Sequence, residues 1–563
     1  MSHPVGGKSK PLLTLASLDS FFLHWSTYAR SINLSELDIL QFRASLFLKF
    51  GDLTKCYNNN SDKKAINDFL EKNDKIIIVP SDKTKHLTIM YFEDYKNKIS
   101  LTFSDTEKFE PLSEDPMKDN KIVIKFRKQL QNIKPFLNKK TFKSILPIEA
   151  IKRGYGLLKK HRNDKIRPIV SSINSLTQGC ENFLYKILSP LEDKCKFLIK
   201  STKNFKEIFL QKSPKFDKNK HTIVSWDANQ LYTNINTKMV IEYILDLIYE
   251  NPSNFFNEGC NIVDGQEIDI QIPPRRIFQN FLYDVLLNFN VFSTVSGIYK
   301  QLDGLGMGSR LSSIISNLYV SLMENEIIQN YIDNEKIILY VRFADDILVI
   351  LDKNIESEIF TSINSWDPQF LKFKTENMSE NSLPFLDTQI IIKNDQLELC
   401  KYRKPMASDC VLNYYAITPK KYKISTLKGE IYRCRHTTSN DKNCDEALVN
   451  LKKLFIKNQY PSKLIDQTIA QIRENNFEPK NKNNLLKEEI KRHPEKHYTL
   501  ALDYNSNRCD KIGYKLFRIL KSITPSYKLN IAWRNQTVSQ YYSPRLKLSV
   551  DPFCKPGVNY IFK

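Results

Sequence analysis

The stretch ILYVRFADDILVIL, residues 338–351, restricts this chain most, because two apolar β-branched runs flank Phe343-Ala344-Asp345-Asp346. Two such runs around a short polar break read as a hairpin of buried strands. Adjacent carboxylates at such a tip repel each other and resist desolvation, so the pattern is costly unless a cation neutralises them. An isolated Asp-Asp pair is usually a solvated turn, but apolar strands on both sides weigh against that explanation here. A second acidic strand should lie alongside. HTIVSWDANQLYTNI supplies one, with Asp227 directly after the β-rich run 222–226 and 118 residues before Asp345. That interval leaves room for helices that bring the two strands together.

Carboxylates so placed suit phosphoryl transfer with two Mg²⁺ ions held about 3.5–4 Å apart, one activating the attacking hydroxyl and the other holding a triphosphate. Asp227 and Asp345 are the expected bridging ligands and Asp346 an outer one, with Mn²⁺ able to substitute for Mg²⁺. Tyr232 follows Asp227 by five residues, where an aromatic ring would occupy the space of a ribose 2′-hydroxyl and favour deoxynucleotides. The plainer alternative is that Tyr232 packs the start of a helix.

Between the two acidic strands, QLDGLGMGSRLSSIISNLYVSLMENEII sets a glycine-rich loop before an apolar-periodic helix. Gly304, Gly306 and Gly308 are expected to let backbone approach a nascent base pair, and Ser309 and Ser312 to cap the helix or touch a template. Gln301, Gly308 and Ser309 are accordingly assigned to the nucleotide site. Upstream, KKHRNDKIRPIV places Lys159, Lys160, Arg162, Lys165 and Arg167 ahead of a β run, a cationic finger suited to a triphosphate, with Arg167 the chief candidate.

The overall charge agrees with a polyanionic partner. Lys and Arg number 84 against 63 Asp and Glu, giving a net charge of +21 and a pI near 9.2. The ten cysteines are scattered, with no CxxC pair or zinc-ligand spacing, and read as reduced thiols. The opening MSHPVGGKSKPLL lacks a signal-peptide core, and no run of about 18 apolar residues suggests a membrane span. Basic clusters at 420–423 and 480–487 suit nuclear import or simply solvated faces.

Residues 1 to about 70 show helical periodicity, and DKIIIVPSDKTKHLTIMYFEDYKNKI reads as a hairpin feeding a sheet. From about 150 to 400 short strands alternate with helices, an α+β pattern. Beyond 400 the chain is more basic and more helical, and LVNLKKLFIKNQYPSKLID is an amphipathic helix closed by a Tyr-Pro breaker.

In this order, the segments resemble the reverse transcriptase of Penelope-like elements, relatives of telomerase, over roughly residues 70–563. The finger segment looks like YGLLKKHRNDKIRPIVSSINS, the first palm motif like WDANQLYTNI, the glycine loop like QLDGLGMGSRLSSIISNLYV and the catalytic hairpin like RFADDILVI. The closing palm and primer-grip segments resemble LPFLDTQI and YRKP, and the thumb helix resembles LKKLFIKNQYP.

The resemblance implies a right-hand α+β polymerase with an antiparallel palm sheet: an N-terminal helical region over 1–74, fingers and palm over 75–400, a mostly helical thumb over 401–500 and a C-terminal extension over 501–563. It implies an RNA template, a DNA primer or target, dNTPs, no membrane and a nuclear location. Lys401, Tyr402, Arg403 and Lys404 are then expected at primer phosphates, and Lys452, Lys453 and Lys457 along the duplex. The family usually has prolines where this chain has Leu158, Arg310 and Ser313, and its finger is one residue longer. Members commonly continue into a GIY-YIG endonuclease. DPFCKPGVNYIFK looks like its introduction, and the expectation is a chain without that domain. Two alternatives stay open: an RNA-dependent RNA polymerase, and a decayed copy that binds nucleic acid without catalysis.

Overall fold

The computed structural model describes residues 75–474, apart from 83–86, 160–164, parts of 251–270, and 380, 406, 408 and 417, together with short stretches outside that range. The expected N-terminal helical region and most of the expected C-terminal extension lie outside the described residues.

Along the chain, the elements that position the site begin with β1 (Ile76–Pro80), β2 (Leu87–Tyr91), α1 (Phe92–Thr102) and β3 (Phe109–Leu112). They continue with β4 (Lys152–Lys159), β5 (Lys165–Ser171), α2 (Gln178–Leu188), α3 (Thr202–Lys212), β6 (His221–Ala228) and α4 (Thr237–Tyr249). Next come β7 (Val291–Ser293), β8 (Ile298–Gln301), α5 (Ser312–Met323), β9 (Ile337–Phe343), β10 (Asp346–Asp352) and α6 (Glu356–Trp366). The series closes with β11 (Phe373–Asn377), β12 (Ser382–Phe385), β13 (Thr388–Lys393) and β14 (Gln396–Lys401), followed by α7 (Lys420–Thr437), α8 (Asp441–Lys457) and α9 (Ser462–Glu474). The fold is mixed α+β with mainly antiparallel sheets, as the sequence pattern indicates. Two compact units divide it, one built on Lys75–Ser408 with Arg433–Val449, the other including Asp409–Tyr432 and residues from Asn450.

In the first unit the central sheet has four antiparallel strands in the order β9-β10-β6-β11. Both of its faces are covered, so its strands are nearly continuous apolar runs rather than alternating ones. Val224, Trp226, Ile347, Val349 and Leu351 belong to the core shared with α4 and α5. Ile223, Leu348, Ile350, Leu339 and Val341 form a second core with Phe205 and Phe209 of α3 and with Leu383, Phe385, Ile390 and Leu399 of the β12–β14 sheet. Helix α5 buries nearly every side chain it has, which explains a sequence apolar almost all round. Helix α4 begins where the Asn236 side chain accepts the Met239 N–H at 3.1 Å, and α3 where Ser201 does the same for Asn204.

A second sheet has the order β3-β8-β7-β4-β5, with β7 parallel to β4 and the other pairings antiparallel. The hairpin expected from the sequence is present as β1 and β2 but forms its own two-stranded sheet, and the following FEDYKNKISLT is helix α1. In the second unit, the Tyr460-Pro461 breaker falls between α8 and α9. The C-terminal part adds one element the sequence did not suggest, a parallel pairing of His497–Asp503 with Lys528–Arg534.

Candidate active site

Pairing of β6 with β10 sets Asp346 directly opposite Asp227, and the Ala228 N–H donates to the Asp345 carbonyl at 3.0 Å. Directly opposed residues share a sheet face, so Asp227 and Asp346 stand together, with Phe343 opposite Asp346 on the other side. All three aspartates are half-buried at the end of strands whose interiors are fully buried. Phe343 is 40% exposed, an unusual position for a large ring at the edge of such a core. The connection from β9 to β10 is only Ala344-Asp345, and Ala344 has φ of +54°, in a left-handed conformation that two-residue hairpins normally give to glycine.

Gln230, φ +52°, turns the chain after β6 into a short 3₁₀ helix, Leu231–Asn234, that carries Tyr232. Burial pushes the Tyr232 phenol up and the Asp345 carboxylate adds to this, while the Ser316 hydroxyl and the Arg167 guanidinium act in the opposite direction. Tyr232, Asp345 and Arg167 are therefore electrostatic neighbours. Arg167 is itself anchored: its Nε lies 3.0 Å from Oδ2 of Asp82, a nearly buried carboxylate. The pair is an ion contact rather than an aligned hydrogen bond, since neither atom has a hydrogen-bonding partner. Asp82 reaches this position because its N–H donates to the Leu158 carbonyl of β4 at 2.9 Å.

The glycine loop serves this geometry differently from expectation. A Cβ on Gly304 would meet the Thr233 carbonyl at 2.6 Å, on Gly306 the Val170 side chain at 2.9 Å, and on Gly308 the Val170 carbonyl at 2.8 Å. The glycines are thus required by close approach to the protein's own β5 and Tyr232 turn. Hydrogen bonds follow the same line, with Val170 N–H donating to Met307 O at 3.1 Å and Leu305 N–H to Tyr232 O. Arg310 lies over the Tyr185 ring at 4.1 Å and donates to Asn182.

Two residues expected at the nucleotide hydrogen-bond within the protein. Gln301 is 1% exposed, donates to the Asp303 carbonyl and accepts from Asn290, since β8 is an interior strand and a polar side chain there must bond within the protein. The Ser309 hydroxyl donates to Glu181 at 2.7 Å, and Ser312 donates to the Gly306 carbonyl rather than capping α5. Glu181 also accepts from Thr177 at 2.8 Å and pairs with buried Lys152 at 2.9 Å.

Lys159 and Lys165 face each other at the loop end of the β4–β5 hairpin, two residues beyond the Leu157–Arg167 pair, while Arg162 lies outside the described residues. Tyr402 is tied to Asp387 by a backbone hydrogen bond at 2.9 Å, with Arg403 and Lys404 exposed beside it. On α8, Lys452 pairs with Asp466 and Lys457 with Asp409, so these two of the three expected duplex contacts already have acidic partners; Lys453 is exposed. One residue escaped the sequence reading: Lys374 on β11 stands opposite Asp227 on the side away from Asp346. Only strand register reveals it.

Among the described residues no three His, Cys, Asp or Glu side chains converge as a ready-made metal cluster. Mg²⁺ takes one or two carboxylates and completes its shell with water and substrate phosphates. The donor set, all carboxylate oxygen, fits such an ion.

Residues 410–470, which carry α7–α9 apart from the end of α9, match a family described as Animal helix-turn-helix domain. No curated protein sequence matches the chain. Similar solved structures include telomerase from Candida albicans in complex with a TWJ fragment of telomeric RNA, at 11% identity and a TM-score of 0.49, covering 92% of this chain and 79% of that one. Apo telomerase from Candida tropicalis matches at 12% identity and 0.41, over 97% and 84%. The Sicinivirus RNA-dependent RNA polymerase matches at 11% and 0.35, over 59% and 71%. All three scores are under 0.5, and the functional reading rests on the geometry of the site.

Proposed function

We propose that this chain is an RNA-directed DNA polymerase of the Penelope-like type, adding deoxynucleotides to a primer 3′-hydroxyl on an RNA template. The observation that carries the reading is the β6–β10 register: two carboxylates from strands 118 residues apart in sequence stand at one strand end, one of them in the adjoining turn, and a third stands directly opposite Asp227. Two bound Mg²⁺ ions would supply activation of the hydroxyl and neutralisation of the triphosphate. Asp227 and Asp346, on one face, and Asp345, in the turn, hold that site. Arg167, braced by Asp82, and the lysines of the β4–β5 hairpin point positive charge at the triphosphate. Lys374 adds a cation beside Asp227. The helices matching the helix-turn-helix family serve as the thumb, with Lys453 at the backbone of the duplex, and Arg403 and Lys404 hold the primer.

Primer extension tests the reading. RNA-templated incorporation of dNTPs is the expected result; equal use of NTPs would favour an RNA-dependent RNA polymerase, and RNA binding without incorporation a decayed binder. Tyr232 supports the DNA product, because its phenol feels the charges of both Asp345 and Arg167, and an aromatic ring there would compete with a ribose 2′-hydroxyl. Tyr232→Ala should lower the preference for dNTPs over NTPs by about 10²-fold, the order a steric pocket achieves against one hydroxyl. An unchanged ratio of kcat/KM values would remove Tyr232 from the gate.

A further inference from the structure

Arg342 lies two residues before Ala344 and is 0% exposed. Its five guanidinium N–H donors meet five acceptors: Nε and Nη2 donate to the two carboxylate oxygens of Glu324 at 2.7 and 3.1 Å, and Nη1 and Nη2 to the side chain and carbonyl of Asn317 at 2.9 and 3.1 Å. The fifth, from Nη1, reaches the carbonyl of Ala344 at 3.4 Å. Glu324 is also 0% exposed, and Asn317 is fixed from behind by donating to Glu192 at 2.9 Å. A buried ion pair is a poor way to gain stability, since apolar residues of similar size often serve as well or better. Its retention beside a strained turn calls for another reason. Ala344 occupies a left-handed conformation that alanine disfavours, and such strain persists only where surroundings enforce it.

We infer that Arg342, clamped by Glu324 and Asn317, is a positioning residue that holds the Ala344 carbonyl and so keeps the Asp345-Asp346 turn in its metal-holding shape. The inference rests on the polymerase reading for its consequence and on the turn's geometry for its substance. In Arg342→Met/Glu324→Leu, which removes both charges together, the melting temperature should stay within a few degrees. Its kcat for nucleotide incorporation should fall by about 10–10²-fold with KM for dNTP little changed, the cost of displacing a reacting group by a fraction of an ångström to one ångström.

Amide exchange in a peptide spanning 343–347 should quicken by about tenfold while peptides from the interior of β6 keep their protection. Adding Ala344→Gly, which adopts the left-handed conformation without strain, should recover much of the lost rate and restore protection. A clamp with only a structural role would not be rescued by that glycine. Should the double variant not fold, Arg342→Lys, which keeps the charge but not the fork, should show the same loss and the same rescue. Unchanged exchange, unchanged kcat, or no rescue would overturn the inference. A wild-type enzyme without any incorporation would instead overturn the functional reading, and the exchange measurements would still decide the role of the clamp.

Discussion

On the proposed reading, Asp345→Ala is expected to abolish incorporation, by about 10³-fold or more, because it would remove a principal ligand for the ions that would stabilise charge in the reaction. Stability should move the other way. Asp345 sits half-buried in a turn beside two further carboxylates, and losing one like charge relieves repulsion at that strand end. The melting temperature should therefore hold steady or rise while activity disappears, and nucleic-acid binding measured by filter retention should persist. Activity and stability falling together would mean that the carboxylates are structural, and with that the polymerase assignment would fail.

The second large effect concerns folding. Lys152 and Glu181 form an ion pair 6% and 2% exposed, braced by Asn290, Thr177 and Ser309. Burial raises the Glu181 carboxyl, but the charge and hydrogen bond of Lys152 and the hydroxyls of Ser309 and Thr177 together hold it below the ordinary range. Glu181→Ala strands the ammonium of Lys152 in the core and should cost about 3–5 kcal/mol in urea denaturation. Lys152→Met/Glu181→Leu should recover most of it. In the wild type, a lowered folded-state value means that the carboxylate's contribution is fully present above the ordinary Glu pKa of about 4.3. It is then lost as pH falls through the lowered value. A Glu181→Ala variant as stable as the parent at neutral pH would disprove the account.

The central hairpin and its acidic partner strand are legible in the sequence because carboxylates inside apolar runs have few explanations, and the β6–β10 register sets Asp346 opposite Asp227. What escapes it is decided by tertiary pairing. Nothing local marks Gln301 as buried between strands, or the Ser309 hydroxyl as bound to Glu181, since a polar residue near a glycine loop reads equally well as facing a ligand or the interior. Lys452 and Lys457 read as free cations on a helix until Asp466 and Asp409 arrive from elsewhere in the chain. Arg342 looks like an interruption in an apolar strand; its carboxylate partner, Glu324, stands directly after the last residue of α5. Asp82 belongs to a hairpin turn with no hint that it would receive a guanidinium.

The segment from Asp303 to Ser309 is fastened along its length: at Gly304 to Thr237 of α4, at Leu305 to the carbonyl of Tyr232, at Met307 to Val170 of β5, and at Ser309 to Glu181 of α2. Surface loops commonly tolerate added residues, but this one has no slack to absorb them. A single inserted amino acid would have to break one of these fastenings, so length variation among natural relatives of this chain should be confined to other connections.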